Sequence, residues 1–347
     1  MKKLLKNQIF IPIAAMVLLA LFNLIMDPSF YAIEINEKGI LTGNLITILD
    51  YGSELAILAL GMTLVTSATG GQDISVGATI AIAGSVILRL ICGLEGSVEL
   101  QTPIIVAFLV ACVVSMLFGA FNGVLVAYAK IQPMVATLIL FTAGRSIASW
   151  ISDNKNYNVY DETFGYFGGF LPGIPVPTPF IIAVICIIIM ALVLKFTTLG
   201  LYTQAVGINE SSSRLNGLNP KFIKFITFVI LGLCVAVVAL IKVSRTAGIT
   251  YSVIAKDIEM DAILAVALGG NALSGGKFNM WASVLGAYVI QFLTTTLYTM
   301  KVKSDALPAY KAIVVIILVV SSAPTVRKAF SNLVKKIKAS RTVKEVG

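Results

Sequence analysis

Long apolar stretches recur along the whole chain, and short polar stretches separate them. Most are long enough to cross or enter a bilayer whose hydrocarbon core is about 30 Å thick. The pattern predicts an all-α fold, a polytopic transmembrane helical bundle of about ten spans (8–10), in a single domain over residues 1–347. The apolar segments are residues 9–26, 53–69, 74–92, 103–129, 132–152, 180–196, 221–242, 260–273, 278–299 and 309–323.

A polar, glycine-rich motif occurs twice, after the two short segments 53–69 and 260–273. Both copies read Gly-Gly-(Gln/Asn)-x-(Ile/Leu)-Ser-x-Gly, and each precedes a longer apolar segment. The repeat predicts broken or short helices, which transporters place at corresponding points of two halves. Tight turns between hairpin helices are an equally good interpretation. The signature residues are Gly70, Gly71, Asp73, Ser75 and Gly77 in the first copy, and Gly269, Gly270, Ser274 and Gly276 in the second.

The distribution of lysine and arginine predicts the orientation in the membrane. Basic residues are concentrated before the first apolar segment and in the tail 325–347, so both termini are expected to be cytoplasmic. The loop 197–220 is expected on the same side, whereas the carboxylate-rich loops 27–52 and 153–179 are expected outside. Lys301 and Lys303 fall outside in this scheme and are its exception.

Composition supports a membrane protein and excludes several kinds of chemistry. Hydrophobic residues make up 58% of the chain and charged residues 12%, with a mean hydropathy of +0.94, whereas soluble domains are about half apolar and a quarter charged. The net charge of +9 is concentrated at the termini and in short loops, so it indicates membrane orientation and not nucleic-acid binding. The absence of histidine excludes catalysis by histidine and metal sites with histidine ligands.

No catalytic, cofactor or metal site is predicted. The four cysteines lie in or at the end of apolar segments and form no C-x-x-C pair. Gly275-Gly276-Lys277 does not form a P-loop, because Asn271 occupies the first glycine position and Phe278 follows the lysine. ATP, if it drives this protein, must therefore bind to another polypeptide.

The most informative polar stretch runs from Gln204 to Pro220. Asn209 is a good N-cap for a short helix that begins at Glu210, whose charge favours the helix N-terminus. Gly217 can end this helix, and Pro220 can begin the next long one. The stretch predicts a short amphipathic helix on the cytoplasmic surface. An ordinary interhelical loop is the alternative.

This stretch resembles the cytoplasmic coupling segment of ABC importer permeases of the ribose/galactose family. Further similarity lies in the first glycine motif, in Asn122-Gly123, in Lys130-Ile131-Gln132-Pro133, in Glu259-Met260-Asp261-Ala262-Ile263 and in Gly269-Gly270. The resemblance covers about residues 45 to 320. Ala136-Thr137-Leu138-Ile139-Leu140 with Gly144-Arg145, and Gly276-Lys277-Phe278-Asn279, look most like galactofuranose-type permeases.

The resemblance implies a multi-pass permease subunit in a bacterial cell (inner/plasma) membrane, which imports a monosaccharide and is not itself an enzyme. The implied partners are a separate ABC ATPase subunit, a second permease subunit (identical or homologous) and an extracytoplasmic sugar-binding protein. The segment 197–220 would couple to the ATPase, although the family usually has alanines where Ser211, Ser212 and Ser213 stand here. The coupling residues would be Asn209, Glu210, Ser211, Ser212, Ser213, Arg214 and Gly217.

An uncharged sugar needs neutral polar groups along its path, and such groups lie near the two glycine motifs. Serine and threonine also join helices to one another, which is the alternative for each of them. A charge inside a span is a functional candidate because it is unfavourable in lipid. The candidate pathway residues are Thr63, Thr66, Thr69, Gln72, Asn271, Asn279 and Arg145, with Ser75 and Ser274 from the motifs.

A secondary transporter driven by an ion gradient, carrying a small polar solute, is the main alternative function. Repeated broken helices fit both kinds of transporter. Secondary carriers commonly place carboxylates deep in their spans, and the centres of these segments hold few. An intramembrane enzyme and a channel are weaker alternatives, because neither paired carboxylates at span centres nor a filter motif is evident.

Overall fold

A computed structural model describes residues 9–36, 39–93, 100–276 and 279–322. The basic tail 325–347, the N-terminal lysines and the Lys277-Phe278 pair lie outside the described residues. Two compact units are present, one ending at Thr295 and the other beginning at Thr296. The contacts described below lie within the first unit.

The described residues are mainly helical. The helices are α1 (Phe10–Met26), α2 (Asn44–Thr69), α3 (Val76–Cys92), α4 (Ile104–Ala127), α5 (Pro133–Ile151), α6 (Glu162–Gly165), α7 (Thr178–Phe196), α8 (Leu199–Ile208), α9 (Glu210–Leu215), α10 (Pro220–Arg245), α11 (Ile258–Leu268), α12 (Met280–Thr299) and α13 (Leu307–Ser322). Two short strands, β1 (Glu34–Ile35) and β2 (Leu41–Thr42), pair antiparallel between α1 and α2. The all-α prediction is confirmed.

Each apolar segment predicted from the sequence coincides with a helix. Among the described residues, six helices are long and apolar enough to cross a membrane, namely α2, α4, α5, α7, α10 and α12. Helices α1 and α3 are apolar but shorter, with 17 residues each, and α11 and α13 have 11 and 16. A polytopic membrane protein is therefore confirmed, whereas a total of ten spans stays a prediction.

The prediction of a short helix before the first glycine motif was wrong. Helix α2 has 26 residues and begins at Asn44, so Asp50 lies inside it and not in a loop. The predicted loop 27–52 included Asp50. The carboxylates of Asp50 and of Glu54, one turn later, are instead both bonded to Arg245 of α10, which lets the helix continue through them.

The bundle exposes large apolar side chains, and its mainly apolar interior also contains many polar side chains. Helices α4 and α7 expose large aliphatic side chains, such as Leu117 (63% exposed) and Ile188 (52%). The buried set contains many polar side chains, including Ser53, Glu54 and Thr63 on α2. Apolar surface around a partly polar interior is the arrangement that a lipid solvent favours.

Glycines bring α4 and α10 into backbone contact. A Cβ at Gly119 would lie 2.4 Å from the carbonyl oxygen of Phe228, and one at Gly123 would lie 3.0 Å from that of Phe225. Small residues four apart let membrane helices approach this closely and gain dispersion energy along the contact. Gly119 and Gly123 are such a pair.

A group of four charges, here called the charge cluster, joins α2 to α10; Glu54 is buried, and Asp50, Lys242 and Arg245 are partly buried. Glu54 is 2% exposed and accepts from Lys242 at 2.7 Å and from Arg245. Arg245 also donates to Asp50 at 2.7 Å, and its guanidinium stacks 4.0 Å above the ring of Tyr51. The formal charges cancel, so the cluster can remain ionised away from water.

We expect Glu54→Ala to destabilise the protein strongly, because Lys242 then loses its carboxylate partner in a buried site. Removing one partner of a buried ion pair costs about 3–5 kcal/mol. Thermal unfolding of the detergent-purified protein should show a melting temperature several degrees lower, and Glu54→Ala/Lys242→Ala should recover part of the loss.

The matched control is Glu162→Ala, at an exposed glutamate in α6, which should leave the melting temperature unchanged. A double variant no more stable than Glu54→Ala would contradict the assignment of the loss to a stranded charge.

Candidate functional site

The two glycine motifs, distant in sequence, contact each other in the structure. Helix α2 ends at Gly70, which has a left-handed φ of 65°. A Cβ there would lie 2.7 Å from the carbonyl oxygen of Ser274. The side-chain amide of Gln72 donates to the carbonyl of Leu273 at 3.3 Å, and the backbone N–H of Gly276 donates to that of Ser67 at 3.0 Å. This contact region is called the glycine junction below.

Asp73 stabilises the break between α2 and α3. One carboxylate oxygen accepts from the backbone N–H and the hydroxyl of Ser75, at 2.8 and 2.6 Å. The other oxygen accepts from Asn122 of α4 at 3.2 Å, and Asn122 also donates to Ser75 at 2.9 Å. On α5, Thr137 accepts from the backbone N–H of Ile74 at 3.2 Å. Asp73 therefore bonds a backbone amide at the break and ties the break to α4.

A second polar network supports the second motif. The side chain of Asn271 donates to Ser283 at 2.7 Å and accepts from the backbone N–H of Asn279 at 2.7 Å. Thr63 of α2 bonds the same Ser283 hydroxyl at 2.7 Å. The carbonyl oxygen of Asn279 in turn accepts from Ser283 at 3.3 Å. Three predicted pathway residues, Thr63, Asn271 and Asn279, are thus brought together.

Sequence reasoning missed Ser283, which is fully buried and links the two halves of this network. A signal was present, because Ser283 lies one helical turn after Asn279 on an apolar helix. Its partner Thr63 is far away in sequence, so only the fold reveals that the two hydroxyls meet.

The other predicted pathway residues occupy different places. Thr66 is fully buried, and among the described residues its hydroxyl has no hydrogen-bond partner. Thr69 accepts from the backbone N–H of Gly71 at 3.2 Å, at the end of α2. Arg145, on α5, donates to the carbonyls of Tyr251 and Ile254 at 3.0 and 3.1 Å. The structure therefore gives Arg145 backbone partners away from the glycine junction.

The polar stretch 197–220 forms two consecutive helices, α8 and α9. Asn209 caps α9 by accepting from the backbone N–H of Ser212 at 2.8 Å, and Gly217 follows the helix with a left-handed φ of 82°. Asn219 caps α10, which begins at Pro220. These caps confirm the predicted short helix, whereas α8 was not predicted.

Most of α9 is exposed, apart from Ser213. Glu210, Ser211, Ser212, Arg214 and Gly217 are all exposed. Ser213 is buried, and its hydroxyl donates to the carbonyl of Asn209 at 2.9 Å. The carboxylate of Glu210 accepts from Lys224 of α10 at 2.6 Å, which holds α9 against that helix.

Two concave surfaces of about 540 and 450 Å³ flank this pair of helices. Both include Tyr202 and Leu218 in their walls; Asn209, Ser212 and Asn216 line the larger one. Beside them Leu215 projects with 90% of its surface exposed. An exposed apolar side chain near concave surfaces of mixed polarity is typical of a protein-docking surface.

The end of α8 packs directly on the glycine junction. A Cβ at Gly207 would lie 1.8 Å from the carbonyl oxygen of Ser67 and 2.7 Å from the backbone nitrogen of Gly276. A Cβ at Gly276 would in turn lie 2.6 Å from the side chain of Ile208. Only glycine permits these approaches, so the α8–α9 pair and both glycine motifs form one packed region.

Comparison with known proteins gives matches over most of the chain. The family model described as "Branched-chain amino acid transport system / permease component" matches residues 44–323. The chain is 37% identical to the galactofuranose transporter permease protein YtfT of Escherichia coli, over 94% of this chain and 92% of the relative. It is 35% identical to the fructose import permease protein FruF of Bifidobacterium longum, over 96% and 93%.

The ribose import permease protein RbsC of Escherichia coli is 34% identical over 88% of this chain and 91% of the relative. No solved structure gives a significant match. The family match and these three alignments cover the helices from α2 to α12, including both glycine motifs and the α8–α9 pair. The chain therefore belongs to the transport-system permease family whose model spans residues 44–323, and its curated relatives include sugar import permeases.

Proposed function

We propose that this chain is the membrane-spanning permease subunit of an ATP-driven importer that carries a monosaccharide into the cell. The observation that carries the proposal is end-to-end similarity to permeases named for galactofuranose, fructose and ribose. All three names specify uncharged sugars, and a neutral polar interior suits such a cargo. The buried hydroxyls and amides at the glycine junction supply that kind of interior.

The proposed topology has ten spans with both termini in the cytoplasm. Support comes from the alternation of contacts at the two ends of the bundle. The N-terminal part of α2 contacts Arg245 at the C-terminal end of α10. The C-terminal part of α2 contacts Gly207 of α8. Helices α2 and α10 are therefore antiparallel, and α8 lies at the C-terminal end of α2, which agrees with a cytoplasmic 197–220 segment. Both glycine motifs then lie toward the cytoplasmic side.

The ATP-binding subunit is proposed to dock on α9 and the two hollows beside it. This surface is exposed, contains the projecting Leu215, and carries charges at Glu210 and Arg214. A second permease subunit and an extracytoplasmic sugar-binding protein complete the proposed complex, in the inner membrane of a bacterium. This chain has no P-loop, so ATP is hydrolysed by the partner.

The preferred sugar is proposed to be galactofuranose-like, from the residues around Ala136–Leu140 and Gly144-Arg145. Identities of 37, 35 and 34% to the galactofuranose, fructose and ribose permeases differ too little to decide this.

Uptake of labelled sugars tests the proposed function directly. Cells that make this chain together with the ATPase and the binding protein encoded by neighbouring genes should accumulate galactofuranose, fructose or ribose. Omission of any component should abolish uptake. The sugar accumulated fastest identifies the cargo. Uptake by this chain alone, abolished by collapsing the ion gradient, would contradict the proposal and indicate a secondary transporter.

Charge reversal at Glu210 tests the coupling segment. Glu210→Lys places two lysines at the 2.6 Å contact with Lys224, so α9 should be displaced from α10. We expect sugar uptake to fall several-fold while the amount of protein in the membrane is unchanged. The swapped pair Glu210→Lys/Lys224→Glu should recover part of the uptake. Normal uptake by Glu210→Lys would contradict the coupling assignment.

A methyl group at Gly207 tests whether α8 must pack on the glycine junction. Gly207→Ala cannot be accommodated without moving backbone, because the new Cβ would lie 1.8 Å from the Ser67 carbonyl oxygen. We expect the assembled complex to retain basal ATP hydrolysis but to lose most sugar-dependent uptake. ATPase activity and uptake are measured on the same reconstituted vesicles.

The matched control is Gly165→Ala, because a Cβ at Gly165 meets nothing within 4 Å. It should leave both activities unchanged. If Gly207→Ala transported sugar as well as Gly165→Ala, the contact between α8 and the junction would have no role in coupling.

A further inference from the structure

The segment between α10 and α11 is irregular and lies against α3. Gly248 pairs with Asn158, whose carbonyl contacts Cys92 near one end of α3. Toward the other end, a Cβ at Gly77 would lie 2.6 Å from the carbonyl oxygen of Ala255. The segment from Gly248 to Ala255, called the irregular segment below, therefore packs beside a membrane helix as hydrogen-bonded turns and not as a regular helix.

Irregular backbone beside a membrane helix is permitted only where protein covers it or water reaches it. Arg145 satisfies part of the requirement by donating to the carbonyls of Tyr251 and Ile254. The backbone is also strained, because Ala247, Ala255 and Asp257 have positive φ angles of 48°, 53° and 64°. Strain of this kind concentrates at functional sites, where the surroundings maintain it.

One side of this region exposes several polar side chains, in addition to apolar ones such as Val253 (61% exposed). Ser252, Lys256 and Asp257 are exposed in and just after the irregular segment. On the neighbouring helix α5, Thr142 and Ser146 are exposed one turn apart, on either side of Arg145 in sequence. The lipid-facing helices α4 and α7 expose aliphatic residues instead. Water or protein must therefore cover this face of the subunit.

We propose that the irregular segment and the Thr142/Ser146 face of α5 form a water-exposed wall of the monosaccharide pathway. This inference rests on the proposed function and adds to it the location of the pathway. The wall offers hydroxyl groups, backbone polar groups and one guanidinium, which together suit an uncharged polyhydroxy ligand. One predicted pathway residue, Arg145, belongs to it, and the signature residue Gly77 lies beside it.

Glu259, at the second position of α11, supplies an independent observation. It is 3% exposed, and one oxygen, Oε2, has no hydrogen-bond partner among the described residues. That oxygen would lie 2.3 Å from a Cβ at Gly77, and Arg145 is near enough to interact with the carboxylate electrostatically. A buried, ionisable side chain with an unused acceptor inside a membrane protein marks a functional site. Beside the wall, it is an acceptor for a sugar hydroxyl.

Arg145 has donors left for the ligand as well. Both of its bonds to Tyr251 and Ile254 use one terminal nitrogen, and its other N–H groups make no hydrogen bond within the described residues. The donor of Arg145 and the acceptor of Glu259 thus flank the start of α3. A sugar hydroxyl both donates and accepts, so each of the two groups is a suitable partner for one.

Cysteine accessibility tests the wall in the assembled, transporting complex. Cys92, Cys112, Cys186 and Cys234 are first replaced, and single cysteines are then introduced as Ser146→Cys and Ser252→Cys. Each variant is treated with a charged, water-soluble methanethiosulfonate with and without saturating galactofuranose, fructose or ribose. We expect both cysteines to react and the transported sugar to slow the reaction at least several-fold.

The matched control is Ile188→Cys on α7, which is 52% exposed on an aliphatic face. It should react very slowly, with or without sugar. Sugar uptake by each variant is measured before labelling. Two results with normal uptake would contradict the proposed wall and leave the proposed importer function intact. In the first, the Ser146→Cys and Ser252→Cys proteins are as unreactive as Ile188→Cys. In the second, they react but sugar does not protect them. Absence of uptake even by the cysteine-containing parent protein would instead overturn the proposed function.

Discussion

A charged or backbone polar group inside a bilayer is stabilised by a partner within the protein, and this requirement explains much of the arrangement of the bundle. It explains why Glu54 pairs with Lys242 and Arg245 although the three lie on helices separated by most of the chain. The same requirement directs Arg145 toward two free carbonyls and Asp73 toward Ser75 and an amide on α4. Each of these charges holds together elements that dispersion forces alone would leave free to slide.

Where a helix is interrupted, its unpaired backbone N–H and C=O groups also need hydrogen-bond partners within the protein. Where α2 stops, its last carbonyls lose their intrahelical donors, and the carbonyl of Ser67 is reached by the backbone N–H of Gly276. Such a bond needs backbones closer than side chains normally allow, which is why the second motif is glycine-rich at this point. Gly70 and Gly275 therefore serve the mutual contact of the two motifs, whereas Gly71 packs on Pro133.

Features that depend on neighbouring residues could be predicted from the sequence. Apolar segments located the helices. Asn209 and Pro220 located the starts of α9 and α10, because capping involves only neighbouring residues. The start of α2 could not be predicted, since its charges are neutralised by Arg245, which is remote in sequence. Ser283 was missed for the same reason. The position of the segment between α10 and α11 depends on contacts with α3 and α5, which no local pattern encodes.

Contacts between these regions form one continuous series through the first unit. Gly207 of α8 packs on the end of α2, the first glycine motif connects α2 to α3, and Gly77 in the first turn of α3 touches Glu259. Most of the links involve backbone or glycine, which cannot yield by changing rotamer, so a displacement of α8 has to move whole helices. Contiguity alone is not coupling, which also needs elements with two arrangements. The strained backbone at Ala255 and Asp257, where this series reaches the polar wall, is the element best suited to adopt a second one.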